Sequence, residues 1–267
     1  MIKENFPLVE YLARIGLKEI PKVSAEGLQE LHAAQAFSIP FENLDILLGR
    51  TLSLAPEDLI AKLIHQRRGG YCFELNGLLC LALQSLGFTV RPLLARVVYG
   101  LASPSAHTHE VLVVTIAGSE WLADVGFGGP GLCVPIPMIA DQITEQYGES
   151  YRLTRDPEYG WILQKADKAD SYINLYCFKE KERTLDVDIE MANHYTSTWP
   201  ASIFRLQRML ALRKPWGRVT LSDMDLTIYR GGQSTRTVLP AGPEYLAAIS
   251  EHFGIHLDAR YEDLVSS

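Results

Sequence analysis

The sequence predicts an α+β fold, and three observations carry that prediction. Apolar residues recur at helical spacing to about residue 88. Short runs rich in aliphatic and β-branched residues follow to about residue 190, and strand and helix signals mix in the remainder. The expected divisions are therefore a helical part at 1–88, a strand-rich part at 89–190 that suggests a small barrel or curled sheet, and a mixed part at 191–267. At 267 residues and 47% hydrophobic content the chain is long enough to bury a substantial core.

Taken in order, Leu8, Tyr11, Leu12 and Ile15 mark a first helix that Gly16 ends. Ser24 is placed to cap a second helix carrying Leu28, Leu31 and Ala34. Ile39 to Asp45 is expected to be an irregular linker. Pro56, Glu57 and Asp58 fit the first turn of a third helix, with Leu59, Ile60, Leu63 and Ile64 behind them. Candidate strands are Val90 to Tyr99, Val111 to Ile116, Trp121 to Val125, Tyr151 to Leu153, Trp161 to Gln164 and Tyr172 to Phe178. Gly118-Ser119 is the expected turn between the second and third. In the tail, Val219 to Leu221, Asp225 to Tyr229 and Thr235 to Leu239 are expected strands, and Leu246, Ile249 and Phe253 line a helix stopped by Gly254.

Net charge is −7, so no basic field attracts nucleic acid or an acidic membrane. Met1-Ile2-Lys3-Glu4-Asn5 lacks the apolar stretch of a signal peptide, and no stretch is long enough to span a bilayer. The cysteines at 72, 80, 133 and 177 are too sparse for a disulfide scaffold and match no zinc spacing, so no metal and a cytoplasmic setting are expected.

The chemistry centres on Arg67-Arg68-Gly69-Gly70-Tyr71-Cys72-Phe73-Glu74-Leu75-Asn76, a glycine-hinged turn that opens an apolar helix ending at Gly87. Cys72 at a helix N-terminus meets unpaired N–H groups that favour negative charge, and the expectation is a lowered thiol pKa and a nucleophile. Cys80, inside the same helix, fits an ordinary buried role. Arg67 and Arg68 are either steering charges or solvated ones, and Glu74 and Asn76 are expected to support the turn.

A cysteine nucleophile needs a base and a group that orients it. His109 precedes an aliphatic strand, and the next strand ends in Asp124-Val125-Gly126-Phe127-Gly128. Pairing of these strands puts His109 and Asp124 at one sheet edge, giving a Cys72-His109-Asp124 triad. His107 is the rival base and is expected to be a loop residue. His32 and His65 fit surface or core-edge positions. Gly126 to Gly131 matches the dinucleotide pattern G-x-G-x-x-G, but the prolines that follow oppose the helix such a site requires. A glycine loop beside the triad, with Phe127 facing the cleft, is the better fit.

Together these motifs resemble the arylamine N-acetyltransferase family. Ile39 to Asp45, Arg68 to Asn76, Thr108-His109, Asp124 to Gly128 and Asn193 to Phe204 are similar to its signature segments, in matching order. Glu110 departs from the pattern, which has an apolar residue there, and the tail beyond about 215 has no close match. The resemblance implies a helical bundle, a β-barrel and an α/β lid around a cysteine-protease-like core. It implies acetyl-CoA as donor and an arylamine, hydrazine or arylhydroxylamine as acceptor, with an acetyl-Cys72 thioester between them. It also implies donor contacts at Gly126, Phe127, Gly128, Gly129, Tyr195 and Ser202, and acceptor contacts at Phe41, Tyr71, Phe127 and Phe204. The alternatives are a macrolactam-closing amide synthase on the same scaffold, a Cys-His-Asp hydrolase and a non-enzymatic CoA-binding protein. No Cys-Gly-Ser-Cys-Trp protease signature surrounds Cys72.

Overall fold

The structure, a computed structural model, describes residues 6–168 and 171–264; the N-terminal segment Met1 to Asn5 lies outside the described residues. Helix α1 (Leu8–Ile15) ends where Gly16 adopts φ 78°, a left-handed conformation that glycine enters without steric cost. In α2 (Ala25–Ser38) the Ser24 hydroxyl accepts the Gly27 N–H at 3.2 Å, closing the predicted cap. Pro56 opens α4 (Pro56–Leu59), which runs into a π-helical turn at Ile60–His65. Helix α5 (Cys72–Leu86) begins on the predicted cysteine and stops at Gly87, whose φ is 93°. These helices share one apolar cluster that includes Tyr11, Leu28, Leu31, Leu63, Phe73, Leu75 and Leu78.

The Ile39 to Asp45 segment is not an irregular linker. It holds strand β1 (Phe41–Glu42) and a single helical turn, α3 (Leu44–Leu47). Phe41 pairs with Ala211 and Glu42 with Leu210, so two residues of the N-terminal part complete a sheet built by the C-terminal part.

Next come β2 (Thr89–Val97), β3 (His107–Ile116), β4 (Ser119–Ala123), β5 (Ile136–Pro137), β6 (Thr144–Gln146), β7 (Glu149–Asp156), β8 (Gly160–Lys168) and β9 (Ser171–Phe178). They form one antiparallel sheet in the order β5-β4-β3-β2-β9-β8-β7-β6. A bridge from Ala140 to Leu153 lays the segment after β5 on β7, so the sheet curls into a nearly closed barrel. Leu93, Val111, Val113, Tyr151, Leu163 and Tyr176 fill its interior. The β3–β4 turn is Ala117-Gly118, with φ 49° and 82°, the two positive values that a tight hairpin turn demands.

The last part contains α6 (Asp186–Thr198), α7 (Ile203–Leu206), β10 (Met209–Lys214), β11 (Gly217–Ser222), β12 (Asp225–Arg230), β13 (Gln233–Val238) and α8 (Pro243–Phe253), with Gly254 left-handed at the end. The sheet order is β1-β10-β11-β12-β13. Tyr245, Ile249 and Phe253 of α8 pack with Leu210, Leu212 and Leu221 of this sheet. Helix α6 and strand β10 were not anticipated from the sequence. Among the described residues, no helix is long and apolar enough to cross a membrane.

Candidate active site

The turn before α5 is held by ion pairs. Arg68 is buried and binds Glu42 with Nε at 3.0 Å and Nη2 at 2.6 Å, while Nη2 also lies 3.2 Å from Asp45. It is therefore neither a solvated charge nor a steering one, and it ties the glycine turn to β1. Gly69 and Gly70 are required by crowding: a Cβ on Gly69 would lie 2.2 Å from the Pro40 carbonyl, and one on Gly70 would lie 2.8 Å from the Glu74 side chain. Glu74 supports the turn as expected, accepting the Tyr71 N–H at 3.1 Å and pairing with Lys62 at 2.7 Å.

Cys72 thus stands on the first turn of a buried helix, against the turn that carries Asp124. A Cβ on Gly126 would fall 2.7 Å from the Cys72 Cα, so only glycine permits this approach. His109 lies inside β3 rather than before it, and its Nε2 meets Asp124 Oδ2 at 2.8 Å. The Cys72 thiol donates to the Thr108 carbonyl at 3.7 Å, which sets the sulfur beside the residue preceding His109. The structure therefore brings the three segments together.

Asp124 is held from four sides. Besides His109, the Gly126 N–H donates to its Oδ1 at 2.8 Å and Asn76 Nδ2 donates to the same oxygen at 2.9 Å. Its own N–H donates to His32 Nε2 at 3.1 Å. Burial works to raise the Asp124 pKa, but His109, Asn76 and the Gly126 N–H outweigh it and hold the carboxyl below its ordinary value. His32 is fully buried, not at an edge, with Nδ1 on the Cys133 carbonyl at 2.9 Å. Burial lowers its pKa to about 4, so it stands neutral and accepts from Asp124. The sequence offered no signal for this pairing, since His32 and Asp124 are brought together only by the fold.

The thiol departs from expectation. Burial pushes Cys72 well above its ordinary pKa, the Asp124 carboxylate adds to that, and the Glu110 and Phe73 N–H groups only partly oppose it. The helix N-terminus does favour the anion, yet desolvation is the larger effect at a side chain 2% exposed. The raised pKa favours the thiol over the thiolate.

Aromatic rings close the site. Phe127 lies 5.2 Å from His109 and 5.2 Å from Tyr176, and Tyr176 lies 4.9 Å from His109. Tyr176 was not singled out from the sequence. Its buried hydroxyl feels the Asp124 charge without reaching hydrogen-bond geometry. Phe204 sits 6.1 Å from Phe41 and 5.7 Å from Tyr71, and the Phe41 ring packs on Gly128. Tyr71 donates its hydroxyl to Asn193. The remaining candidates lie differently. Gly129 abuts Thr220 of β11. Ser202 caps α7 and donates to the Thr196 carbonyl at 2.6 Å. Tyr195 is exposed on α6 and stacks on Trp199. His107 begins β3 opposite Arg96, in a different cavity shared with Lys179 and Glu182. Gly126 to Gly131 opens no helix, which fits the rejection of a dinucleotide site.

Comparison with known proteins follows the same lines. The N-acetyltransferase family model matches residues 24–262. The chain is 36% identical to the arylamine N-acetyltransferase / N-hydroxyarylamine O-acetyltransferase of Salmonella typhimurium, over 92% of this chain and 87% of that one. It is 39% identical to the arylamine N-acetyltransferase of Mycolicibacterium smegmatis, over 92% of this chain and 91% of the relative. Among solved structures, the Salmonella typhimurium enzyme superposes with TM-score 0.90 at 34% identity, covering 96% of each chain. The Mycobacterium marinum enzyme in complex with CoA superposes with TM-score 0.89 at 34% identity, again covering 96% of each.

Proposed function

The chain belongs to the arylamine N-acetyltransferase family, and from that premise we propose that it transfers acetyl groups from acetyl-CoA to arylamines, hydrazines or arylhydroxylamines through Cys72, His109 and Asp124. One observation carries the assignment of residues: the His109–Asp124 hydrogen bond at 2.8 Å, beside a cysteine on the first turn of α5.

With Nε2 engaged by Asp124, His109 Nδ1 is the nitrogen left to take a proton. Cys72 Sγ attacks the thioester carbonyl while His109 removes the thiol proton. The C–S bond to CoA breaks, the proton passes from His109 to the departing CoA sulfur, and acetyl-Cys72 remains. The amine nitrogen then attacks that thioester, Cys72 Sγ leaves, and the amine proton returns through His109 to the cysteine sulfur. Exchange of one thioester for another is nearly balanced in energy, so the first half runs readily in both directions. The Cys72 and Phe73 N–H groups have no partner within the helix and serve as oxyanion donors, each worth about 3 kcal/mol.

Gly126, Phe127, Gly128 and Gly129 are the proposed contacts of the acyl donor nearest Cys72, with Tyr195 and Ser202 further out. Phe41, Tyr71, Phe127 and Phe204 are the proposed acceptor walls. The ring contacts among Phe41, Tyr71 and Phe204 support the latter. The order of helices α1 to α5, the barrel strands β2 to β9 and the sheet β10 to β13 supports a division near 1–88, 89–190 and 191–267, although β1 and Leu44 of the first part join the third. The four cysteines are free and buried, which supports a reducing, cytoplasmic setting.

A donor-by-acceptor matrix read by free CoA thiol tests the reading. CoA release that requires acetyl-CoA and rises with an arylamine or hydrazine supports it. Release indifferent to the amine identifies a hydrolase, and no release with any pair rejects acyl transfer.

A further inference from the structure

Behind the nucleophile helix, α5 and α6 with the segment 49–56 enclose a cavity of about 1070 Å³ whose lining includes neither Cys72 nor His109. Phe73, Leu81, Pro92 and Ile189 supply apolar walls, and Glu110 and Asp186 reach it from β3 and α6. Glu110 is 2% exposed, yet its carboxyl has no hydrogen-bond partner among the described residues. The titratable groups around it are Asp186 and Asp124, across α5 Tyr71, Cys72 and Cys80, and on the cavity wall Glu190 and His194 of α6. The arginines on the rim are engaged elsewhere, Arg50 with Asp45 and Arg205 with the Thr198 carbonyl. Burial and the two neighbouring aspartates push the Glu110 pKa well up, which favours its protonated form.

We propose that this cavity is a second small-molecule site, taking an alkyl- or aralkylammonium ion whose charged head meets Glu110 and Asp186 and whose stem lies against Phe73, Leu81, Pro92 and Ile189. The ammonium replaces the proton on Glu110: the carboxylic acid gives its proton to solvent and the resulting carboxylate accepts N–H hydrogen bonds from the ligand. Such a ligand is chemically distinct from an acyl acceptor, because its nitrogen lone pair is already protonated at neutral pH. The site stands independently of the acyl-transfer reading.

Isothermal titration of the full chain with 2-phenylethylammonium chloride at neutral pH, in phosphate and in Tris, tests this. The expected result is saturable one-to-one binding, with a buffer-dependent heat that reports proton release. Glu110→Gln should abolish the proton release and weaken binding by about tenfold or more. Asp186→Asn, on the exposed side of α6, should weaken binding without threatening the fold, and neutral 2-phenylethanol should bind at least about tenfold more weakly. No saturable heat, equal binding of the alcohol, or buffer-independent heats would each overturn the proposal.

Discussion

Asn76 Nδ2 donates to Asp124 Oδ1 at 2.9 Å, and through that bond the helix that begins at Cys72 grips the turn that orients His109. The same amide group donates to the Glu110 carbonyl at 2.6 Å and accepts the Val125 N–H at 3.0 Å. Replacing Asn76 by Leu removes this partner from the Glu110 carbonyl and the Val125 N–H, and takes one of several donors from Asp124, at a cost of about 1–3 kcal/mol for each polar group left unpaired. The expected outcome is a lower urea midpoint together with slower Cys72 acetylation; unchanged values of both would remove Asn76 from the site.

His109→Gln should reduce acetylation of Cys72 by at least about a hundredfold, the usual worth of a general base. His107→Gln should leave most of the rate, since His107 lies in another cavity. Single-turnover kinetics with acetyl-CoA decides between them, and the reverse ranking would reassign the base.

Gly126→Ala should disable the site without touching a charged group. Its methyl would lie 2.7 Å from the Cys72 Cα and 2.8 Å from Asn76 Nδ2, too close for either to yield without separating α5 from the Asp124 turn. Loss of acetylation with retained far-ultraviolet dichroism is expected. Full activity would show that the approach is looser than drawn.

Much of this was legible because local chemistry spoke plainly. Gly16, Gly87 and Gly254 stop helices by adopting left-handed angles, and Ser24 caps one, so those ends follow from single residues. Strand β1 was hidden because two residues form a strand only when β10, far along the chain, arrives to pair with them. Helix α6 was hidden for another reason. Its apolar Val187, Met191 and Tyr195 are exposed, while its buried face is Ile189, Ala192, Asn193 and Thr196, so the helical stripe lies on the wrong side. The segments that carry Cys72, His109 and Asp124 were legible from their residue types and order. The elevated thiol pKa was not, because burial is a property of the assembled fold.

Stability should fall as the solution is acidified from about pH 6.5, and His32 is one named cause. Its folded pKa, about 4, lies below the ordinary 6.5, so the unfolded chain binds more protons between those values. The stabilisation is complete above the unfolded pKa and is lost as pH falls toward the folded one; its size is on the order of 3 kcal/mol. Urea midpoints against pH measure it. His32→Phe should flatten the profile in that window, and an undiminished slope would place the titration elsewhere.

The central claim is that Cys72 carries the acetyl group, and intact-protein and peptide mass spectrometry after exposure to acetyl-CoA without an acceptor tests it most directly. The account predicts one added acetyl group, located on the Cys72 peptide and discharged by an arylamine. Acetylation at Cys80, Cys133 or Cys177 instead, or no adduct while product still forms, would contradict it.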